Sequence, residues 1–182
     1  MDIILCPNAE EASLRAAALI TNAVRARPAT VLGLATGSTP LRLYQALIQA
    51  CRDGLDFSRV HTFNLDEYYG VAPDHPQSYR RFMNEHLFNH LNLIPANTRV
   101  PDGLARDVAA HCAAYEAEMR AAGGVDIQVL GIGSDGHIGF NEPGSSLASR
   151  TRLVALTPQT VSDNARFFAT VDEVPRHAIS MG

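Results

Sequence analysis

Short apolar and β-branched runs alternate along this chain with longer segments of helical period, and that rhythm constrains the fold more than any other feature. Residues 3–6, 30–35, 59–65, 125–132 and 151–156 read as strands, with a further extended run at Ala178. Between them, Asn8 caps a helix that stops at Pro28, and a second helix opens at Pro40. Residues 78–91, 105–122 and 160–168 also carry helical spacing. This order predicts an α/β fold with a mainly parallel sheet and helices on both faces, because parallel neighbours need crossover connections. With 182 residues and neither a repeat nor a linker, the chain reads as one domain over 1–182. In such sheets ligands bind beyond the carboxyl ends of the strands, where loops from distant parts of the chain converge.

Charge narrows the partners. Nineteen acids against fifteen bases give −4 without a long like-charge run, so neither nucleic acid nor an anionic membrane is expected. All fifteen bases are Arg, which removes Lys Schiff-base catalysis and the Lys-dependent P-loop. Cys6, Cys51 and Cys112 are far apart and outside any CxxC pattern, so neither a disulfide framework nor a zinc site is expected. With no apolar run of membrane-spanning length and no secretory signal pattern, the expected compartment is the cytoplasm.

Three strand-end loops carry candidate chemistry. In GLATGSTP, Gly33 to Pro40, backbone N–H groups at a helix start and the hydroxyls of Ser38 and Thr39 suit a phosphate, although a capped helix with a tight turn would use the same residues. In TFNLDEYYG, Thr62 to Gly70, a strand delivers Asp66 and Glu67, as a general base or as a turn cap. The third loop, Leu130 to Arg152, holds Asp135, His137 and Glu142 among Gly131, Gly133, Gly136 and Gly139. Sharp turns there would let two carboxylates orient the His137 ring and raise its basicity; a hydrogen-bonded loop histidine is the plainer alternative. Its GxGxxG string is not read as a dinucleotide site, since HIGFNEPGSS does not open a helix and no acid follows about 20 residues on. Arg166, on the helix after this loop, could close on an anion.

The motifs GLATGSTP, FNLDEYYG, GIGSDGHIGFNEPGSSLASRTR and SDNARFF, in this order, resemble those of the glucosamine-6-phosphate deaminase family. The resemblance runs from the first strand to Gly182 and implies a Rossmann-like doubly wound fold, an amino sugar phosphate as small-molecule substrate, and no metal or organic cofactor. It places the carbon-acid base on Asp66, the ring-opening histidine on His137 and that histidine's carboxylate partners on Asp135 and Glu142. It assigns the substrate phosphate to Gly37, Ser38, Thr39 and Arg166, and an allosteric remnant to Ser145 and Arg152. Val154 stands where allosteric members have Lys, which implies no strong activation by N-acetylglucosamine 6-phosphate.

The implied reaction converts glucosamine 6-phosphate and water to fructose 6-phosphate and ammonia. Two other readings stand beside it: a sugar-phosphate lactonase using His137 as a hydrolytic base, and an inactive sugar-phosphate binder. Family members run longer than this chain, so the resemblance implies that C-terminal strands and helices, with a phosphate-binding Lys, are missing here. From that follows the expectation of an apolar sheet edge at Ala178 and marginal stability. A homo-oligomer is left open by the sequence.

Overall fold

The computed structural model describes residues 2–133 and 136–182. At its centre β1 (Val31–Leu34) is buried at all four residues and lies between β2 (His61–Asn64) and β5 (Ile127–Gln128), with β4 (Thr98–Arg99) beyond β2. Every one of these pairs is parallel. Because successive strand residues point to opposite faces, the sheet presents two apolar surfaces. On one face Leu32 and Leu34 pack among Ile20 and Val24 of α1 (Ala9–Ala26), Leu47 of α2 (Leu41–Arg52) and Met83 of α3 (Tyr79–His86). On the other, Val31 and Phe63 meet Tyr115 of α4 (Val108–Ala121), whose ring stands edge-on to Phe63 at 5.6 Å. The α/β architecture with helices on both faces is therefore as the alternation predicts.

The helix starts follow their capping residues. Asn8 Oδ1 accepts from Glu11 N at 2.9 Å and Asp107 Oδ1 from Ala110 N at 3.0 Å, each satisfying a donor that the first turn leaves without an intrahelical partner. At α2 the cap position is Pro40, and no side chain caps the helix. Its first N–H groups sit at the carboxyl end of β1.

Four differences from the sequence reading have physical causes. Residues 3–6 form no strand: Ile3 and Leu5 are 71% and 91% exposed, and no neighbouring strand offers this run a ladder. Of residues 125–132 only Ile127–Gln128 form strand, with Asp126 N and Val129 N donating to Val31 O and Gly33 O at its ends; β1 stops at Leu34, and Leu130 and Ile132 beyond the ladder are exposed. Asp66 and Glu67, read as a polar loop, form β3 (Asp66–Tyr68) in a second, antiparallel sheet with β7 (His177–Ser180) and β6 (Arg152–Ala155). Ala178 was expected at an exposed edge, yet β7 is the middle strand of that sheet, paired on both sides and buried at Ala178, Ile179 and Ser180. Of its strands, β6 and β7 fall on the runs read as extended at 151–156 and Ala178; β3 escapes period-2 reasoning because it is only three residues long and begins with two acids. Val161 of α5 (Pro158–Asn164) covers it, alongside Tyr68, Val154 and Ala178.

Phe63 anchors α4 to the parallel sheet, since it is fully buried between β2 and α4. Phe63→Ala is expected to lower unfolding free energy by about 3–5 kcal/mol, read as a fall in urea midpoint at unchanged m-value.

Candidate active site

A cavity of about 590 Å³ opens at the carboxyl ends of β1 and β2. Its wall brings together Gly37, Ser38, Thr39, Asp66, His137, Glu142 and Arg166, which are spread over 130 positions of sequence from residue 37 to residue 166. Asp135 lies outside the described residues.

The Thr36–Thr39 turn leads from β1 into the uncapped start of α2. Gly37 has φ +100°, a conformation that residues with a Cβ rarely adopt. Tyr44, fully buried one turn into α2, donates its hydroxyl to Ala35 O at 2.5 Å and fixes where the turn leaves the strand. With no side chain on its first amides, this helix start presents N–H groups and the positive end of its dipole to the cavity.

Asp66 reaches the cavity because β2 hands over to β3 at Leu65. Leu65 N donates to Leu34 O at 2.9 Å, while Leu65 O accepts from Met181 N at 2.9 Å. One residue therefore belongs to both sheets, and the next side chain is aimed at the gap between them. Among the described residues no hydrogen bond reaches the Asp66 carboxyl. Burial first, and the neighbouring Glu67 carboxylate second, push its pKa up to about 7.

Glu67 points the other way and has the opposite surroundings. Its Oε1 accepts from Tyr68 N and Tyr79 N, each at 2.9 Å, and its Oε2 from Ser78 Oγ at 2.8 Å and Arg80 N at 3.0 Å.

The glycine-rich loop crosses above Asp66. Gly133 N donates to His137 O at 2.9 Å, and a Cβ at Gly133 would overlap the imidazole ring. Gly139, at φ +59°, lies so near Asp66 that a Cβ would stand 2.8 Å from a Leu65 methyl and 3.2 Å from Asp66 Oδ2. Beyond it the loop is hung on the second sheet: Asn141 Nδ2 donates to Met181 O at 2.7 Å, and Phe140 N to Ser180 Oγ at 3.4 Å. Glu142, expected to act on His137, has Oε1 held by Thr160 Oγ1 at 2.6 Å and Thr157 Oγ1 at 3.2 Å, so the first turn of α5 fixes this carboxylate. Arg166 follows α5 in a 3₁₀ turn (Ala165–Phe167), its guanidinium 4.7 Å from the Phe167 ring centroid.

The deaminase-type motifs thus converge on one cleft, and comparison with known proteins agrees. A family model described as glucosamine-6-phosphate isomerases/6-phosphogluconolactonase matches residues 8–171. A glucosamine-6-phosphate deaminase of Thermoanaerobacter sp. (strain X514) is 51% identical over 183 aligned positions that cover all of this chain and 72% of that protein. This chain belongs to the glucosamine-6-phosphate deaminase family. The Halothermothrix orenii deaminase is likewise 51% identical, over all of this chain and 76% of its own length. Among solved structures, a monomeric glucosamine-6-phosphate deaminase superposes with TM-score 0.96 at 44% identity, covering 100% of this chain and 76% of the other. A 6-phosphogluconolactonase from Thermotoga maritima shares the fold alone, with TM-score 0.73 at 22% identity over 98% of this chain and 74% of the other.

Two of the residues assigned from the deaminase resemblance stand apart from the cleft. Ser145 donates its backbone N–H to Glu142 O at 3.0 Å and does not line the cavity. Arg152 borders a different hollow of about 610 Å³, between α4 and β6, beside Arg120, Arg150 and Glu116. Conversely, the sequence reading passed over Tyr68 and Tyr79, which line the cleft with ring centroids 4.9 Å apart, and Phe140, stacked on Tyr79 at 6.1 Å. Tyr68 directly after Asp66-Glu67, and Phe140 three residues after His137, were the available signals; Tyr79 had none. Thr157 and Thr160 were legible only as helix-start residues.

An acid whose pKa is raised on folding binds its proton more tightly in the native state, so stability is lost as pH climbs from the ordinary Asp value through about 7. Asp66→Asn removes the charge. It is expected to raise Tm at pH 8 by roughly 5–10 °C and to change it little near pH 4, as followed by circular dichroism.

Proposed function

We propose that this chain converts glucosamine 6-phosphate and water to fructose 6-phosphate and ammonia. The observation that carries the reading is a buried carboxyl group, Asp66, with its pKa pushed to about 7, in one cleft with His137 and an uncapped helix start. The N–H groups of the Gly37–Thr39 turn, the hydroxyls of Ser38 and Thr39, and Arg166 hold the phosphate, which sets the sugar carbons against Asp66. His137, tuned by Asp135 and Glu142, moves a proton between the ring oxygen and the anomeric hydroxyl and opens the pyranose.

The aldehyde so formed makes the C2 hydrogen acidic. Asp66 accepts that proton, and the electron pair left at C2 forms the C1–C2 double bond of a cis-enolamine while the carbonyl oxygen gains a proton. Protonated Asp66 then returns its proton to C1 on the same face. The resulting C2 iminium adds water, and ammonia leaves as the C2 carbonyl forms. One group acts first as base and then as acid, which is most efficient when its pKa lies near the working pH.

A lactonase has no hydrogen to move between carbons, so Asp66 is idle in that reading. The named side chains come from a single copy, and no second copy is needed to assemble them. With three free cysteines we place the activity in the cytoplasm; no helix among the described residues is long and apolar enough to cross a membrane.

Ammonia release from glucosamine 6-phosphate, coupled to glutamate dehydrogenase, tests the reading directly; lactone hydrolysis without ammonia would overturn it. Asp66→Asn is expected to lower kcat by at least about 10²-fold while calorimetric binding of the sugar phosphate persists. Since the base must be ionised, kcat/KM should climb with pH through an acid limb centred at about 7. A limb near the ordinary Asp value would argue against Asp66 as the base.

A further inference from the structure

We propose that Glu67 is a positioning residue for Asp66: its carboxylate locks β3 onto the start of α3 and thereby fixes the direction in which the neighbouring base enters the cleft. This rests on the reading of Asp66 as the carbon-acid base.

Glu67 is 2% exposed and uses both oxygens fully. Two of its donors, Tyr79 N and Arg80 N, are first-turn amides of α3, a third is Ser78 Oγ at that helix's cap, and the fourth is the next amide of its own strand. Ser78 Oγ already accepts from Arg81 N at 3.4 Å, so its proton is free to point at Glu67. Four donors and no acceptor around one carboxyl group match the anion. The ordinary capping role of Ser78 accounts for one amide; a buried carboxylate eleven residues upstream holding two more is what joins the base strand to the helix. Tyr79, carried by the same first turn, also lines the cleft, so helix and base are held in one frame.

The same placement puts a negative charge beside Asp66. The other ionisable groups around Asp66 are the phenols of Tyr68 on β3, Tyr79 on α3 and Tyr115 on α4, with His137 across the cavity. Burial holds all three phenols above their ordinary values, so they stay neutral while Asp66 titrates. Arg80 faces Glu67 from α3 and is coupled to Tyr115. Burial raises Glu67 above the ordinary carboxylate value, and its four donors hold back part of that rise. Of these groups, Glu67 is the anion that disfavours a second charge on Asp66.

Glu67→Gln keeps the shape but turns an amide NH₂ toward at least one donor, and it removes the charge. Expected are a fall in kcat of about 10- to 100-fold, a KM within about 3-fold of wild type, and an acid limb of kcat/KM displaced to lower pH. Glu67→Asp restores the limb through its charge but not the rate, being too short to reach all four donors. A readout independent of turnover is the ¹³C-carboxyl titration of Asp66, assigned by its loss in Asp66→Asn. Its midpoint should drop in Glu67→Gln. If that variant does not fold, Ser78→Ala, which retains the charge and deletes one donor, should lower kcat with the midpoint unmoved. An Asp66 midpoint unchanged in folded Glu67→Gln, or full kcat in Ser78→Ala when it alone is folded, overturns the proposal. Absence of ammonia release by wild type with a shifted midpoint instead overturns the deaminase reading and leaves the positioning role standing.

Discussion

Two adjacent carboxyl groups are taken out of water at one strand end, and the protein treats them oppositely. Glu67 receives four hydrogen bonds, whereas the Asp66 carboxyl receives none among the described residues. Burying a charge without partners is costly, and a group so placed keeps its proton more readily than in water. The proposed roles follow that contrast along one strand: framework for the carboxylate with four partners, proton transfer for the one with none among the described residues. Alternation along β3 makes this workable, since neighbouring side chains point to opposite sides.

The remainder of the site is arranged around that strand end. Leu65 bonds to β1 through its N–H and to the segment after β7 through its carbonyl, so the parallel and antiparallel sheets meet one residue before the base. Gly139 can pass over Asp66 because it has no Cβ, and Gly133 makes room for the His137 ring in the same way. The Thr36–Thr39 turn has a different freedom, supplied by Gly37 at positive φ and by a helix that begins at Leu41, after Pro40, with no side chain on its first amides. Each of these positions departs from what would stabilise a helix or strand locally, and such departures cluster where function is expected.

Much of this was legible in the chain. The strand–helix alternation correctly indicated the parallel sheet and its two helical layers, and the cap read at Asn8 stands where α1 begins. Motif order picked out seven residues that line one cleft. Less legible was anything that depends on a partner strand. Residues 3–6 and 125–132 have the apolar content of strands, but a strand requires a neighbour to accept its hydrogen bonds, and the first run has none. The antiparallel sheet shows the converse: 151–156 and the run at Ala178 read as extended, but nothing local says that β7 is paired on both sides and buried, or that Asp66–Tyr68 is its neighbour.

Local sequence determined the residue types and the backbone freedoms: glycines where the chain must turn or pass closely, capping side chains at helix starts, and an acid at the end of an apolar strand. These follow from sterics and hydrogen-bonding preferences that act over a few residues. Which acid would become reactive was not decided there, because Asp66 and Glu67 are chemically near-equivalent neighbours. Only the tertiary structure separated them, by bringing Ser78, Tyr79 and Arg80 to one and, among the described residues, no donor to the other. Proton affinity depends on surroundings supplied by elements distant in the chain, and those surroundings exist only once the two sheets and α3 have packed together.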